Sequence, residues 1–114
     1  MSALANKIRK AREFTRTIEG WNLRLRRPTD AEAAKIIGRE QADALEVATT
    51  YVIGWEAVTE ADLVKSGSSD PVAFDADVWA EVVADTPALW EPISTAVIDA
   101  WVSHNDKRED RSKN

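Results

Sequence analysis

The sequence predicts a mainly α, α+β domain: an N-terminal β-hairpin followed by a compact bundle of short helices. Three observations predict it. Residues 13–27 alternate apolar and polar side chains around one turn signal, Glu19-Gly20. From Pro28 onward apolar residues recur at helical spacing, as in Ala44, Leu45, Val47, Ala48, Tyr51, Val52 and Trp55, and again in Trp90, Ile93, Val97 and Trp101. Capping residues open these stretches, among them Thr29 with Glu32 three positions on, and Asp75 directly after Phe74.

Taken in order, "SALANKIRKARE" reads as a short helix. Ser2 is its N-cap, Leu4 and Ile8 share one face, and cations lie toward its C-terminal end, where the helix dipole favours them. In "EFTRTIEGWNLRLRR", a loop at Glu19-Gly20 pairs Ile18 with Trp21, Arg16 with Leu23 and Phe14 with Leu25 on one face. Thr17 with Asn22, Thr15 with Arg24 and Glu13 with Arg26 make the other. The first face is apolar apart from Arg16; the second is polar and carries a Glu13–Arg26 ion pair. A two-stranded ribbon is marginal alone, so the apolar face must cover helices or another chain.

Pro28 ends the strand, and Thr29 with Glu32 forms a capping box for a helix whose apolar side is Ala33, Ile36 and Ile37. A helix unbroken from Asp30 to Ile53 would set Glu40 in its apolar face, so a break near Gly38 is expected. The stripe then resumes as a helix through Trp55. "TEADLV" reads as one turn capped by Thr59, and "KSGSSDP" as loop. Phe74 and Trp79 have the spacing of a hydrophobic staple, with Val78, Trp79, Val82 and Val83 inward on a helix ending near Asp85. Thr86 and Pro87 are N-cap and N1 of the next segment, and Pro92 is expected to kink or delay the final helix. Residues 1–106 thus form a single helical domain with its hairpin at 13–27, and 107–114 a disordered polar tail.

At 114 residues, 44% apolar and 31% charged, the chain suits one globular domain. No apolar run is long enough to cross a bilayer, and the N-terminus lacks the apolar stretch of a secretory signal, so a cytoplasmic location is expected. With no cysteine, disulfides, thiolate metal sites and thiol nucleophiles are excluded. Charge is unevenly spread. Residues 1–27 hold eight Lys/Arg against two acids, a balance of +6; residues 28–106 hold three basic against sixteen acidic, a balance of -13; residues 107–114 add +2, for a net charge of -5. A basic head on an acidic body suits oriented assembly, between copies or with charged partners.

Candidates for chemistry are few. His104 is the only histidine and lies at the polar end of the last helix. The serines of "SGSSD" have no base placed to activate them. Asp70, Asp75 and Asp77 lack the spacing of a calcium loop, and Asp75 and Asp77 are explained by helix capping. The glycines at 20, 38, 54 and 67 are too scattered for a phosphate loop. No catalytic residue, metal or cofactor is therefore expected. Nucleic-acid binding is the rival reading, because basic residues interleave with Phe14 and Trp21 in the head. Against it, the acidic body repels a polyanion, and the hairpin register turns both rings away from Arg24 and Arg26. The tryptophans fall on apolar stripes and read first as core, second as partner anchors. The candidate partner-binding residues are Arg16, Trp21, Arg24, Arg26, Arg27, Trp79 and Trp90.

The segments "LRLRRPTDAEA", "GWEAVTEADL" and "DPVAFDADVWAEVVADTPALW" resemble the small tail assembly chaperones of long-tailed bacteriophages and prophages, over about Phe14 to Trp101. The resemblance implies a non-catalytic morphogenesis factor in the bacterial host cytoplasm. It implies binding to the tape measure protein, recruitment of tail tube protein subunits and absence from the finished virion. In that family a translational frameshift often adds a C-terminal extension to some copies. A structural head-tail connector or tail-completion protein, retained in the virion, is the alternative within the same process.

Overall fold

A computed structural model describes residues 2–38 and 43–112. Its elements run α1 (Ala3–Lys10), β1 (Glu13–Ile18), β2 (Trp21–Arg26), α2 (Asp30–Ile37), α3 (Ala44–Tyr51), β3 (Val52–Glu56), α4 (Glu60–Leu63), α5 (Ala76–Ala84), a 3-10 turn at Pro87–Leu89 and α6 (Trp90–Ser112). The α+β class and the hairpin are as the sequence predicts. The hairpin register is residue for residue the expected one, from Glu13↔Arg26 to Ile18↔Trp21. Its loop works because Glu19 (φ 49°) and Gly20 (φ 83°) are both left-handed, the requirement of a type I′ turn, whose twist matches that of the strands.

The sheet has a third strand that the helical pattern concealed. β3 pairs antiparallel with β2, giving the order β1-β2-β3. The stripe through Trp55 was expected to continue as helix, but α3 stops at Tyr51 and the chain turns extended at Val52 (φ -88°, ψ 122°). Val52 pairs with Leu25, and Gly54, not Ile53, pairs with Arg24. Ile53 is thus the extra residue of a β-bulge. The bulge has a plain function. Val52 and Trp55 are three apart, so an unbroken strand would turn them to opposite faces; one extra residue brings both to the side of Leu25 and Leu23.

The inner face of the sheet and the helices enclose one core. Leu23, Leu25, Val47, Ala48, Val52, Trp79, Val83, Leu89, Ile93 and Val97 are its buried centre. α3 lies between α5 and α6, and α6 also reaches β1. Trp79 fills the middle with no accessible surface and donates its indole N–H to the Ala48 carbonyl at 3.0 Å. Trp21 and Trp55 meet it edge-on from the sheet, with ring centroids at 5.9 and 6.3 Å. Phe74, the expected staple residue, stacks edge-on against Trp55 at 5.0 Å.

Helix ends follow the capping signals. Ser2, Thr29, Asp43 and Asp75 each accept a backbone N–H with their side chains, and at Thr29 the Glu32 carboxylate returns the bond. α2 ends at Ile37 with Gly38 as C-cap, near the expected break. Glu40, whose place in the stripe motivated that break, lies outside the described residues. Pro92 falls in the first turn of α6, where an amide would have no intrahelical acceptor, so it neither kinks nor delays the helix. α6 continues to Ser112, so residues 107–112 are helical where their composition predicts a tail. Arg108 anchors this stretch through a 2.9 Å bond to Asp30 at the start of α2.

Candidate protein-binding surface

The seven candidate residues do not converge on one site; Arg16 and Arg24 share a groove and the others lie apart from it. Arg24 stands on the outer face of the sheet and Arg16 on the other face of the edge strand β1, opposite Leu23, yet both line one groove. With Thr15, Thr17, Asn22, Leu23 and Glu56 they line a shallow groove of about 420 Å3. Arg24 lies across Gly54, where a Cβ would stand 3.0 Å from its Nε, so the glycine leaves room for the guanidinium. Its ion pair with Glu13 is long, 3.8 Å, and 56% of its side chain remains exposed. Arg16 sits over the Phe14 ring at 5.0 Å and donates to the neighbouring Thr15 carbonyl at 2.9 Å. That bond occupies a backbone acceptor on the outer strand and keeps a charge at the sheet edge, which hinders edge-to-edge pairing.

Arg26, another of the candidate residues, is engaged within the fold. Its guanidinium covers the Tyr51 ring at 4.4 Å and donates to both Glu32 carboxylate oxygens, at 3.0 and 3.1 Å. The expected Glu13–Arg26 pair is therefore replaced by Glu13 with Arg24 and Arg26 with Glu32. Glu32 also accepts from the Thr29 amide and the Tyr51 hydroxyl, each at 3.1 Å. Burial would raise the Glu32 pKa, but bonds from Arg26, Thr29 and Tyr51 overcome it and bring it to about 2. Burial, the adjacent Glu32 charge and their shared bond push Tyr51 up to about 12.

Arg27 stands near the base of the hairpin. It donates to the Pro28 carbonyl at 3.1 Å, and partial burial together with the positive charge of Arg12 lowers its pKa. Asp30, close by, accepts from Trp101 Nε1 and from Arg108, both at 2.9 Å, and these bonds lower its pKa.

Trp79 cannot face a partner, because it is wholly buried. Trp90 is half-buried and its indole N–H is committed to the Val83 carbonyl at 2.6 Å; Trp55 likewise donates to Val72 at 2.8 Å. Trp55 also belongs to β3 and not to a helix. The tryptophans serve chiefly as core and joint residues, with polar ends bonded inside the molecule.

Two features escaped the candidate set. α1 has no buried residue, and Leu4 (65% exposed) and Ile8 (49%) face solvent rather than the body. Their spacing was legible, but only the fold reveals that the shared face stays uncovered. The second lies at the turn of the hairpin. Glu19, Gly20, Trp21, Asn22, Glu56, Ala57, Val58 and Asp62 line a hollow of about 330 Å3. Ala57, in the left-handed region (φ 58°), turns the chain sharply out of β3 beside it. Glu19 is far in sequence from Glu56 and Asp62, so no local motif announces the three together. Asp62 accepts from the Thr59 amide and hydroxyl at 2.8 and 2.9 Å, bonds that lower its pKa.

Among the described residues no group of three or more His, Asp or Glu is arranged to hold a metal ion, and no helix is long and apolar enough to cross a membrane. The class defined here is an α+β domain whose surface features are charged and aromatic-edged hollows and one projecting amphipathic helix. The chain matches no protein-family model, no curated protein and no solved structure.

Proposed function

We propose that this protein is a non-catalytic assembly factor that covers apolar helical surface on a client, in the manner of the phage tail assembly chaperones its sequence resembles. The observation that carries the reading is α1, a cationic helix whose Leu4 and Ile8 remain exposed beside an acidic body. An amphipathic helix with an uncovered face is suited to docking on another helical protein, while a strongly charged body keeps the complex dispersed. The client is the tape measure protein, with tail tube protein subunits recruited around it. Because Trp79 is buried, client contact falls to α1, Trp21 and the Arg16–Arg24 groove, and not to the paired core tryptophans.

Nucleic-acid binding is less well supported. Arg16 and Arg24 offer a cationic groove, but Trp21 is turned onto Trp79 and Phe14 packs against the core, so the groove lacks a stacking platform.

Co-expression with a long helical protein encoded beside it is the direct test. The expected outcome is a higher soluble yield of that protein and co-purification of the pair. Purified virions should lack the protein. Its presence there would favour a connector, and submicromolar affinity for single-stranded nucleic acid at physiological salt would overturn both.

A further inference from the structure

α1 and the turn hollow are complementary in chemistry and lie at opposite ends of the hairpin. Leu4, Lys7 and Ile8 share one stripe of α1, since residues three and four apart are neighbours on a helix, and Lys10 follows one turn after Lys7. The stripe therefore presents two exposed aliphatic side chains flanked on one side by the Lys7 ammonium, with Lys10 further round the helix on that same side. The hollow presents the half-buried Trp21 ring and Ala57, bordered by the Glu19, Glu56 and Asp62 carboxylates; among the described residues, none of those lining it is basic. An ammonium is attracted both to carboxylates and to the face of an indole. We propose that α1 of one copy docks in the turn hollow of a second copy, with Lys7 and Lys10 meeting Glu19 and Glu56, and Leu4 and Ile8 covering Trp21 and Ala57.

Chain geometry makes the occupant a second copy. α1 joins β1 through Ala11 and Arg12, and the Arg12 carbonyl accepts the Arg27 amide at 2.9 Å, so the helix is tied to the open end of the hairpin. The hollow lies at the turn end, six residues of strand away, about 20 Å at the usual rise. Eight helical residues span only about 12 Å, too short to bring α1 to its own hollow. Each copy consequently keeps one helix and one hollow for different neighbours, a head-to-tail contact that propagates unless its rotation closes a ring. The +6 head and -13 body favour the same polarity. One short helix buries less than a standard interface, so the affinity is modest and falls with salt. This contact goes beyond the client reading and does not depend on it, because it is tested on the protein alone.

The test is sedimentation of the full chain and of two double variants, Lys7→Glu with Lys10→Glu and Glu19→Lys with Glu56→Lys. All four positions are exposed, and unchanged circular dichroism checks that the variants fold. The wild type is expected to gain mass with concentration at low salt and to lose it at high salt. Each variant alone should associate at least about tenfold more weakly, and an equimolar mixture of the two should associate again, because each supplies the partner surface the other lacks. The proposal is overturned if the wild type stays monomeric, if either variant associates as the wild type does, or if the mixture stays monomeric. A monomeric wild type whose α1 binds vesicles of anionic lipid would assign the helix to a membrane instead.

Discussion

The two ends of the hairpin are built on opposite principles. At the open end the charges that join sheet and helices are paired: Arg26 holds Glu32, Arg108 holds Asp30, and Tyr51 and Trp101 bring neutral donors to the same two carboxylates. At the turn end three carboxylates gather around a half-buried indole, and a strained alanine turns the chain beside them. Paired charge fixes the sheet to α2 and α2 to α6, whereas the carboxylates of the turn end are gathered with no basic residue among the described residues lining the hollow. The same contrast separates two arginines of one strand. Arg26 is held by the Glu32 carboxylate and the Tyr51 ring, while Arg24 has one long ion pair and faces water.

The most severe disruption of either end comes from the core that joins them. Trp79→Ala removes the ring on which Trp21 and Trp55 rest and leaves the Ala48 carbonyl without its donor. A loss of about 3–5 kcal/mol is expected in urea unfolding. Glu32→Gln tests the paired end itself and should lower stability at neutral pH by about 1–2 kcal/mol, allowing for solvent screening. The pH profile sharpens the point. Glu32 has a folded pKa of about 2 against an ordinary 4.5, so its contribution is full above the higher value and is lost as pH falls through the lower. Tyr51, raised from 10.0 to about 12, stabilises the fold while protonated, and that contribution fades as pH rises through this range. Thermal melts should therefore show a plateau falling at both extremes, with the acid limb flattened in Glu32→Gln and the alkaline limb in Tyr51→Phe. The smallest effect belongs to the exposed arginine: Arg24→Ser should change stability by no more than about 0.5 kcal/mol, against a clearly larger loss for Arg26→Ser. Equal losses at the two positions would erase the distinction between paired and presented charge.

Local signals were readable wherever the contact is local. Glu19-Gly20 fixes the turn, the turn fixes six cross-strand pairs, and Thr29 and Glu32 identify their helix start. β3 was hidden because Tyr51, Val52 and Trp55 have helical spacing, and only the bulge at Ile53 makes that spacing serve a strand. The unpaired edge of β2, not intrinsic propensity, decides the outcome. The ionic partners of Arg26 and Asp30 were illegible for a similar reason, since Glu32 and Arg108 come within reach only after α2 and α6 have docked. Trp79 had both core and partner readings open, and burial selects the first.

The trio of Trp21, Trp55 and Trp79 also gives the molecule an optical signature. Their ring centroids lie between 5.9 and 6.4 Å apart and their planes are inclined by 49° to 70°. Transition dipoles this close and this skewed couple as excitons, so the folded chain should show a split aromatic circular-dichroism couplet and fluorescence depolarised by transfer among the indoles. Each strand of the sheet core and α5 contributes one chromophore: Trp21 from β2, Trp55 from β3, Trp79 from α5. The couplet therefore reads the seating of the sheet on the helices without any attached dye, and it should vanish when either Trp79 or the strand that carries Trp55 is displaced.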